Sequence, residues 1–301
     1  MKINQTIIWR ITDQKKGHDI QSLSLCNSLK KLVKCEINSL TRAQAWIKII
    51  KFVLRKDKIQ RPVLVVAAGH RTHLVAFMTK LLLRAKSLVI MKPTLPIYFF
   101  DLCLIPNHDN LRNNNSVNVI RFHGALNNLR DLGRHDELKG LILIGGSSRH
   151  FNWNNEFVIR QILEITEANL SIQYSLTNSP RTPKDFYTQI KNKNITNLNI
   201  FNYSNVPDTW IKEKLYESKN VWVTKDSVSM IYESLTAGCD VGIIELKEKG
   251  NNKIYKSVNN LIELKIVRFF SKKIYKKRKI IFNETDRCAV LVKLKLLNNN
   301  Q

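Results

Sequence analysis

Short apolar runs alternate with longer amphipathic stretches along most of this chain, and this alternation is what most limits its fold. Residues 62–67 (PVLVVA) and 140–144 (GLILI) are apolar runs of strand length, while 19–33 and 72–85 carry apolar residues at helical spacing. Strands that are apolar throughout and separated by helices are typical of a parallel sheet covered on both faces. The sequence therefore predicts an α/β protein.

A polar stretch at residues 121–138 interrupts the alternation, which starts again at residue 140. A chain of 301 residues is long enough for two domains with separate cores. We therefore predict two Rossmann-like domains, 1–136 and 137–301, that face each other across a cleft. In such folds the ligand-binding groups lie at the carboxyl ends of the strands.

Four loops that follow predicted strands carry glycine, hydroxyl or cationic residues, at 13–18, 68–72, 145–150 and 177–183. Glycine lets the backbone approach a ligand, and each loop opens a helix whose first N–H groups are free. Arg71, Arg149 and Arg181 lie in three of these loops, which favours a phosphorylated ligand. The alternative is that these residues only cap helices and satisfy the loop backbone.

The stretch 221–233 (VWVTKDSVSMIYE) predicts a buried strand, a polar turn and the start of a helix. Asp226 or Ser227 can cap this helix, and the same free N–H groups attract an anion. Ser229 and Glu233 are four residues apart and share one helix face with Asp226, one turn earlier. We expect this face to contact a bound ligand.

The net charge of +25 indicates an anionic partner, unless it only reflects AT-rich coding DNA. In the segment 267–279 cations alternate with aromatic residues, so this segment could bind RNA, lie on an anionic membrane or form a solvated helix face. The solvated face is the default for a charge run, and no specific nucleic acid is expected. The membrane interpretation assigns lipid contacts to Lys272, Lys273, Lys276, Lys277, Arg278 and Lys279.

The cysteines are scattered, no signal-peptide pattern is evident, and no apolar run approaches the length of a membrane span. These features predict a cytoplasmic protein, either soluble or peripheral on the inner face of the membrane. His70 and His73 are three residues apart, but no HExxH motif or Cys/His set completes a zinc site. We therefore predict no metal and no cofactor.

Several motifs occur in order along residues 9–245. They are 12–18 (TDQKKGH) with 21–23 (QSL), 68–72 (AGHRT), 100–101 (FD) with 105–109 (IPNHD), 123–127 (HGALN), 144–153 (IGGSSRHFNW), 179–183 (SPRTP) and 223–230 (VTKDSVSM). Together they resemble the mitochondrial fission protein family, known from plant elongated-mitochondria proteins and many bacterial relatives. That family is itself similar to GT-B glycosyltransferases and sugar-nucleotide epimerases.

The GT-B resemblance implies that the C-terminal domain binds the diphosphate of a nucleotide sugar and the N-terminal domain binds the acceptor. Glycine and arginine would contact the diphosphate, hydroxyls and Asp226 would contact phosphate-proximal or sugar groups, and Glu233 would accept from a ribose or sugar hydroxyl. The implied ligand-binding positions are Gly17, Arg71, Gly145, Gly146, Ser147, Arg181, Thr224, Asp226, Ser227, Ser229 and Glu233.

The pair Gly17-His18 resembles the glycine–histidine turn of lipid-linked sugar transferases, which implies that His18 deprotonates the acceptor hydroxyl. Asp13 is the competing base. The leading hypothesis is transfer of a sugar from a nucleotide-diphosphate donor to an envelope or lipid-linked acceptor. A sugar-nucleotide epimerase is the enzymatic alternative, and a non-enzymatic protein that docks a membrane or division partner is the other.

Overall fold

The structure is a computed structural model that describes residues 6–54, 60–107, 109, 116–249, 253–270 and 282–298, with the backbone alone for 253–257. The chain divides into two compact units, residues 1–128 with 283–301 and residues 129–282. Each unit is built on one six-stranded parallel sheet. The α/β architecture predicted from the alternation of strands and helices is confirmed.

The sheet of the first unit has the strand order β2-β1-β3-β4-β5-β6. Alternate residues of β1 enter opposite cores, because Ile7, Trp9 and Ile11 pack on one side and Ile8 on the other. The elements are β1 (Thr6–Thr12), α1 (Lys16–Leu32), β2 (Cys35–Thr41), α2 (Arg42–Val53), β3 (Leu64–Ala68), α3 (His73–Leu83), β4 (Lys86–Ile90), β5 (Leu102–Pro106) and β6 (Val119–Phe122), with 3₁₀ turns at His70–Thr72 and Ile97–Phe99.

The sheet of the second unit has the order β10-β9-β7-β11-β12-β14, flanked by a small antiparallel pair of β8 and β13. The elements are β7 (Asp136–Leu143), β8 (Phe151–Asn152), α4 (Asn155–Glu167), β9 (Gln173–Thr177), α5 (Lys184–Lys191), β10 (Leu198–Phe201), α6 (Trp210–Glu217), β11 (Ser218–Thr224), α7 (Val228–Thr236), β12 (Asp240–Ile244), β13 (Lys247–Glu248), α8 (Lys253–Glu263) and β14 (Arg268–Phe269), with a 3₁₀ turn at Tyr203–Asn205.

The last helix, α9 (Glu284–Val292), continues into a π-helical turn (Lys293–Leu297) and belongs to the first unit. Cys288, Ala289 and Val292 join the core that α1 forms on the sheet of that unit. Ser28 of α1 also donates to Asp286 Oδ1 at 2.5 Å. The division therefore differs from the predicted domains 1–136 and 137–301: the first break follows residue 128, and the C-terminal helix returns to cover the first sheet.

None of the helices in the described part of the chain has the length and apolar composition that a membrane span requires.

Candidate functional site

The polar loops of the second unit meet at the point where its strand order reverses. From β7 the chain passes to β9 on one side of the sheet, and β11 lies on the other side of β7. In open parallel sheets this reversal leaves a crevice outside the carboxyl ends of the two central strands. The loops that begin at Gly145 and Lys225 follow those strands, so they lie side by side at this edge.

Asp226 is the centre of this loop cluster. Its side chain is completely buried, and its Oδ2 accepts from Arg181 Nη2 at 2.8 Å, from the Gly146 N–H at 3.1 Å and from Ser227 Oγ at 3.2 Å. Arg181 Nη2 also donates to Ser227 Oγ at 3.1 Å. The arginine side chain stays 46% exposed, so part of its guanidinium faces solvent. The sequence-predicted residues Gly146, Arg181, Asp226 and Ser227 are thus brought together.

The other oxygen of Asp226, Oδ1, is buried and has no hydrogen-bond donor among the described residues. A buried acceptor without a donor costs free energy, of the order of 1–3 kcal/mol for an uncharged group and more for a charged one. Native structures retain few such atoms, and a ligand group that donates a hydrogen bond would satisfy this one. Asp226 Oδ1 therefore marks a position at which a donor from a ligand fits.

Gly145 and Gly146 are required by close packing within the protein itself. A Cβ at Gly145 would lie 2.2 Å from Ser227 Oγ and 2.3 Å from Asp226 Oδ2, and one at Gly146 would lie 2.1 Å from the carbonyl oxygen of Arg181. The Gly145 N–H donates to Thr224 Oγ1 at 2.7 Å, and the Gly146 N–H is used by Asp226. Both N–H groups predicted to face a diphosphate therefore already have acceptors, and the buried Thr224 hydroxyl joins the ends of β7 and β11.

Helix α7 begins directly after Ser227 and brings the remaining predicted residues to the same edge. Ser227 is the N-cap, but its side chain makes no capping hydrogen bond, so no hydroxyl shields the first N–H groups of α7. Ser229, in the first turn, is exposed, and Glu233 follows one turn later and is half-buried. Burial raises the pKa of the Glu233 carboxyl to about 7, which keeps it partly protonated near neutral pH. Ser147 is exposed, and its N–H donates to the Arg181 carbonyl at 3.1 Å.

The first unit carries a second polar cluster, at the edge where its own strand order reverses between β1 and β3. His18 Nδ1 lies 2.9 Å from Asp13 Oδ2 and 3.1 Å from Oδ1. The Asp13 side chain is fully buried, whereas that of His18 is 23% exposed. Burial raises the pKa of Asp13, but the hydrogen bonds from His18 and the Lys15 N–H outweigh it and hold that pKa below its usual value. The two sequence-predicted residues Asp13 and His18 are thus in direct contact, and His18 is the more exposed of the two.

Gly69 packs directly against this pair. Its φ of +91° lies in the left-handed region, and a Cβ there would lie 2.2 Å from His18 Nδ1 and 2.8 Å from Asp13 Oδ2. Gly17 lies in the first turn of α1, which begins earlier than the sequence predicted, and a Cβ there would meet nothing within 4 Å. Arg71 is exposed in the 3₁₀ turn after Gly69, so it is near the cluster along the chain, but no contact ties it to His18.

His73 also lies in this region. From the sequence it was considered only as a zinc ligand and was not predicted as a site residue. It is 1% exposed at the start of α3, and its Nδ1 accepts from the Thr94 N–H at 3.2 Å. Its Nε2 is buried with no partner in the described part of the chain. Burial first, and then the charges of His70 and His18, lower the pKa of His73 to about 4, so the ring is neutral and its proton lies on Nε2. The motif AGHRT ends at Thr72, one residue before His73. A histidine at the start of a helix does not by itself indicate a functional site.

A partly buried ion pair between β1 and α1 was also missed. Arg10, in the middle of β1, lies 3.2 Å from Asp19 Oδ1 and donates to Ser39 and Ser22. Thr12 also donates to Asp19. This network joins the first turn of α1 to two strands and holds the residues that follow β1 in place.

Two sets of sequence predictions fall outside the described residues. They are His108 in the IPNHD motif and the cations Lys272, Lys273, Lys276, Lys277, Arg278 and Lys279. Within the described ranges, no group of three or more His, Cys, Asp and Glu side chains is placed to hold a metal ion.

Comparison with solved structures agrees with the architecture. The fold is similar to that of a Listeria monocytogenes protein assigned provisionally as a UDP-N-acetylglucosamine 2-epimerase. The TM-score is 0.58 at 11% sequence identity, and the match covers 98% of this chain and 89% of that one. It is also similar to Phytolacca americana UGT2 complexed with UDP-2fluoro-glucose and pterostilbene, with a TM-score of 0.54, 10% identity and coverage of 100% and 92%. A glycosyltransferase from Rickettsia africae has a TM-score of 0.50 at 9% identity, with coverage of 98% and 94%.

At these identities the likeness shows the fold, which is of the GT-B glycosyltransferase and epimerase type. A relative by sequence is the uncharacterized protein RP120 of Rickettsia prowazekii (strain Madrid E), 26% identical over 97% of this chain and 99% of its own length. The profile of the family described as Mitochondrial fission ELM1 matches residues 3–296. With nearly the whole chain matched, this protein belongs to the Mitochondrial fission ELM1 family.

Proposed function

We propose that this protein binds a nucleotide-diphosphate sugar at the carboxyl edge of its second sheet and transfers the sugar to an envelope or lipid-linked acceptor. The observation that carries the proposal is the environment of Asp226. One carboxylate oxygen is buried without a donor, and the exposed part of the Arg181 guanidinium and the uncapped start of α7 lie beside it. A ligand with hydroxyl groups next to phosphates matches acceptors and donors placed in this way.

The donor-binding roles follow from which atoms remain available. Because the N–H groups of Gly145 and Gly146 already have acceptors, the diphosphate would be bound by Arg181 and by the first N–H groups of α7. Ser227 and Ser229 supply hydroxyls at the same helix start. Asp226 Oδ1 and Glu233 would accept from ribose or sugar hydroxyls. Each helix-start donor contributes modestly, about 0.3–1 kcal/mol, so several must act together.

The acceptor-side role falls to His18 in the first unit. When Nδ1 carries a proton and donates to Asp13, Nε2 is the nitrogen that can take a proton. In the proposed reaction the acceptor oxygen attacks the anomeric carbon, the bond from that carbon to the diphosphate breaks, and the hydroxyl proton passes to His18 Nε2. The nucleoside diphosphate leaves with the electron pair of the broken bond. Asp13 acts as a positioning residue that fixes the tautomer of His18.

The proposal is tested by calorimetric titration of the full-length protein with UDP and with a panel of nucleotide-diphosphate sugars. We expect at least one to bind, more weakly to Arg181→Ala and Glu233→Gln and unchanged to His18→Ala. If no nucleotide sugar binds a folded sample at millimolar concentration, the proposal fails.

A second experiment distinguishes sugar transfer from donor binding alone. The protein is incubated with the nucleotide sugar that it binds, with and without membrane extract, and the release of nucleoside diphosphate is measured. Transfer predicts release that needs the extract and is lost in His18→Ala. Conversion of the donor without any acceptor would favour the sugar-nucleotide epimerase instead, whose fold is also of this type. A protein that binds donor but converts none, and whose cellular role survives His18→Ala, would match the non-enzymatic alternative.

A further inference from the structure

The helices on one side of the first sheet expose large aliphatic side chains on the face that points away from the protein. In and directly after α2 these are Ile47, Ile50 and the C-cap residue Leu54, with 53%, 52% and 55% of their surface exposed. In α3, Leu74 and Leu81 are 55% and 60% exposed. Both sets are spaced three, four or seven residues apart, so each forms a stripe along one side of its helix.

The two stripes belong to one surface. α2 packs beside α3, and both helices pack on the same side of the sheet through Ala45, Ile49, Val75, Ala76 and Leu83. Residues opposite these buried positions must therefore point away from the sheet in a common direction. The adjoining 3₁₀ turn adds Tyr98, which is 74% exposed, beside Phe99, which stacks on Phe77 at 4.9 Å. We call the exposed side chains of Ile47, Ile50, Leu54, Leu74, Leu81 and Tyr98 the apolar face.

The charged residues of the two helices that carry the apolar face are all cationic. Residues 42–54 and 73–84 contain Arg42, Lys48, Lys51, Lys80 and Arg84 and not one Asp or Glu. Lys80 pairs with Asp101 at 3.3 Å. The residues Arg42, Lys51 and Arg84 are exposed at the surface. A contiguous exposed apolar surface in a protein marks an interaction site, and the cations around it select the partner.

We propose that the apolar face docks on an anionic lipid surface, with its aliphatic and aromatic side chains in the interfacial region and the cations against lipid phosphates. Helices that lie on membranes combine these two features, an apolar side and a polar margin rich in lysine and arginine. A second copy of the chain is a poorer occupant, because a two-fold contact through this face would bring the same cations against one another. The proposal involves neither the basic segment 272–279 nor the sugar-transfer chemistry, so it stands or fails separately from them.

The test is co-sedimentation of the full-length protein with vesicles of phosphatidylcholine, alone or mixed with phosphatidylglycerol. We expect binding to the anionic vesicles that weakens as salt is added, and little binding to phosphatidylcholine alone. The triple variant Ile47→Ser, Ile50→Ser, Leu81→Ser should lose affinity by about tenfold or more, because three apolar groups no longer enter the interface. Arg42→Gln with Lys51→Gln should reduce binding and its salt dependence together.

The matched control places three serines at exposed leucines of the second unit, Leu138, Leu170 and Leu264, which are 59%, 71% and 40% exposed. It should bind vesicles like the wild type. Circular dichroism confirms that each variant is folded, and since all the changed side chains are exposed, loss of folding is not expected. Wild-type affinity in the triple variant would overturn the proposal, as would equal loss in the control. Binding that survives in the triple variant and disappears only when 272–279 is neutralised would also overturn it.

Discussion

Glu233→Gln tests whether the half-buried carboxyl in the second turn of α7 is held in an unfavourable environment. Burial raises the pKa of this group from 4.5 to about 7. Between these two pH values the native state binds a proton that the unfolded state has released. The stability contribution is therefore fully present below pH 4.5 and is lost as the pH rises through 7.

The magnitude follows from the two pKa values. A difference of about 2.5 pH units at about 1.36 kcal/mol each corresponds to about 3 kcal/mol in total, most of which falls between pH 5 and pH 8. Glutamine has nearly the same shape and does not ionise. The variant should therefore gain stability relative to the wild type as the pH rises, by about 2 kcal/mol over that interval.

The assay is urea denaturation of both proteins at pH 5, 6, 7 and 8, followed by tryptophan fluorescence and circular dichroism. Taking the difference between variant and wild type at each pH removes the contribution of every other titrating group. Glu213→Gln, at an exposed position of α6, controls for the loss of a surface carboxylate. A difference that stays constant from pH 5 to pH 8, or that changes in the opposite direction, would refute the reasoning.

Further changes test the packing of the two clusters and of the C-terminal helix. Gly69→Ala should lower the thermal midpoint and the free energy of unfolding by about 1–3 kcal/mol, because its Cβ would collide with His18 and Asp13, whereas Gly17→Ala should raise stability by about 0.5–1 kcal/mol. Arg181→Ala should cost about 1–3 kcal/mol in chemical denaturation, because it removes a donor from the buried Asp226, and Arg181→Lys should restore part of this. Removal of residues 283–301 should unfold the first unit and leave the second protected in hydrogen exchange, because α9 covers the α1 side of the first sheet.

The apolar runs named from the sequence at 62–67, 140–144 and the start of 221–233 correspond to β3, β7 and β11, which lie inside their sheets. Two strands that were not predicted, β2 and β10, show the limit of that signal. β2 (CEINSLT) and β10 (LNIF) are both at the edge of their sheets, and each has exposed or half-buried residues along it. An edge strand is covered less completely, so polar residues interrupt its pattern. Apolar runs therefore identify the central strands, which carry the candidate site, more readily than edge strands such as β2 and β10.

Residue types in the loops predicted the position of the second-unit cluster but not the task of each residue. Gly145 and Gly146 follow a strand in a pattern that suits a phosphate-binding loop, yet their small size is needed to admit Asp226, Ser227 and the Arg181 carbonyl. The same residue types satisfy either requirement, and only the three-dimensional neighbours distinguish them. His73 was missed for a related reason, since burial and a missing partner are properties of the fold and leave no mark on the sequence. Likewise, α9 was not predicted, and its sequence does not say which sheet it covers.

The ionisation of Glu233 would also distinguish which part of the proposed donor lies against it. A hydroxyl that donates to the carboxylate favours the charged form, so binding should lower the pKa of Glu233 and release a proton. A phosphate placed there would favour the neutral form and take a proton up. At pH 7 the group is about half protonated, so release of about half a proton is the expected upper value.

Calorimetric titration in buffers of different ionisation enthalpy measures the number of protons exchanged on binding. We expect release at pH 7 for a ligand with hydroxyls at this position, and no exchange at that pH in Glu233→Gln if other groups of the site do not titrate there. Proton uptake by the wild type, lost in Glu233→Gln, would place the diphosphate rather than a ribose or sugar hydroxyl against Glu233. Because burial alone raises this pKa, the sign of the proton change reports the chemistry of the group that enters the site.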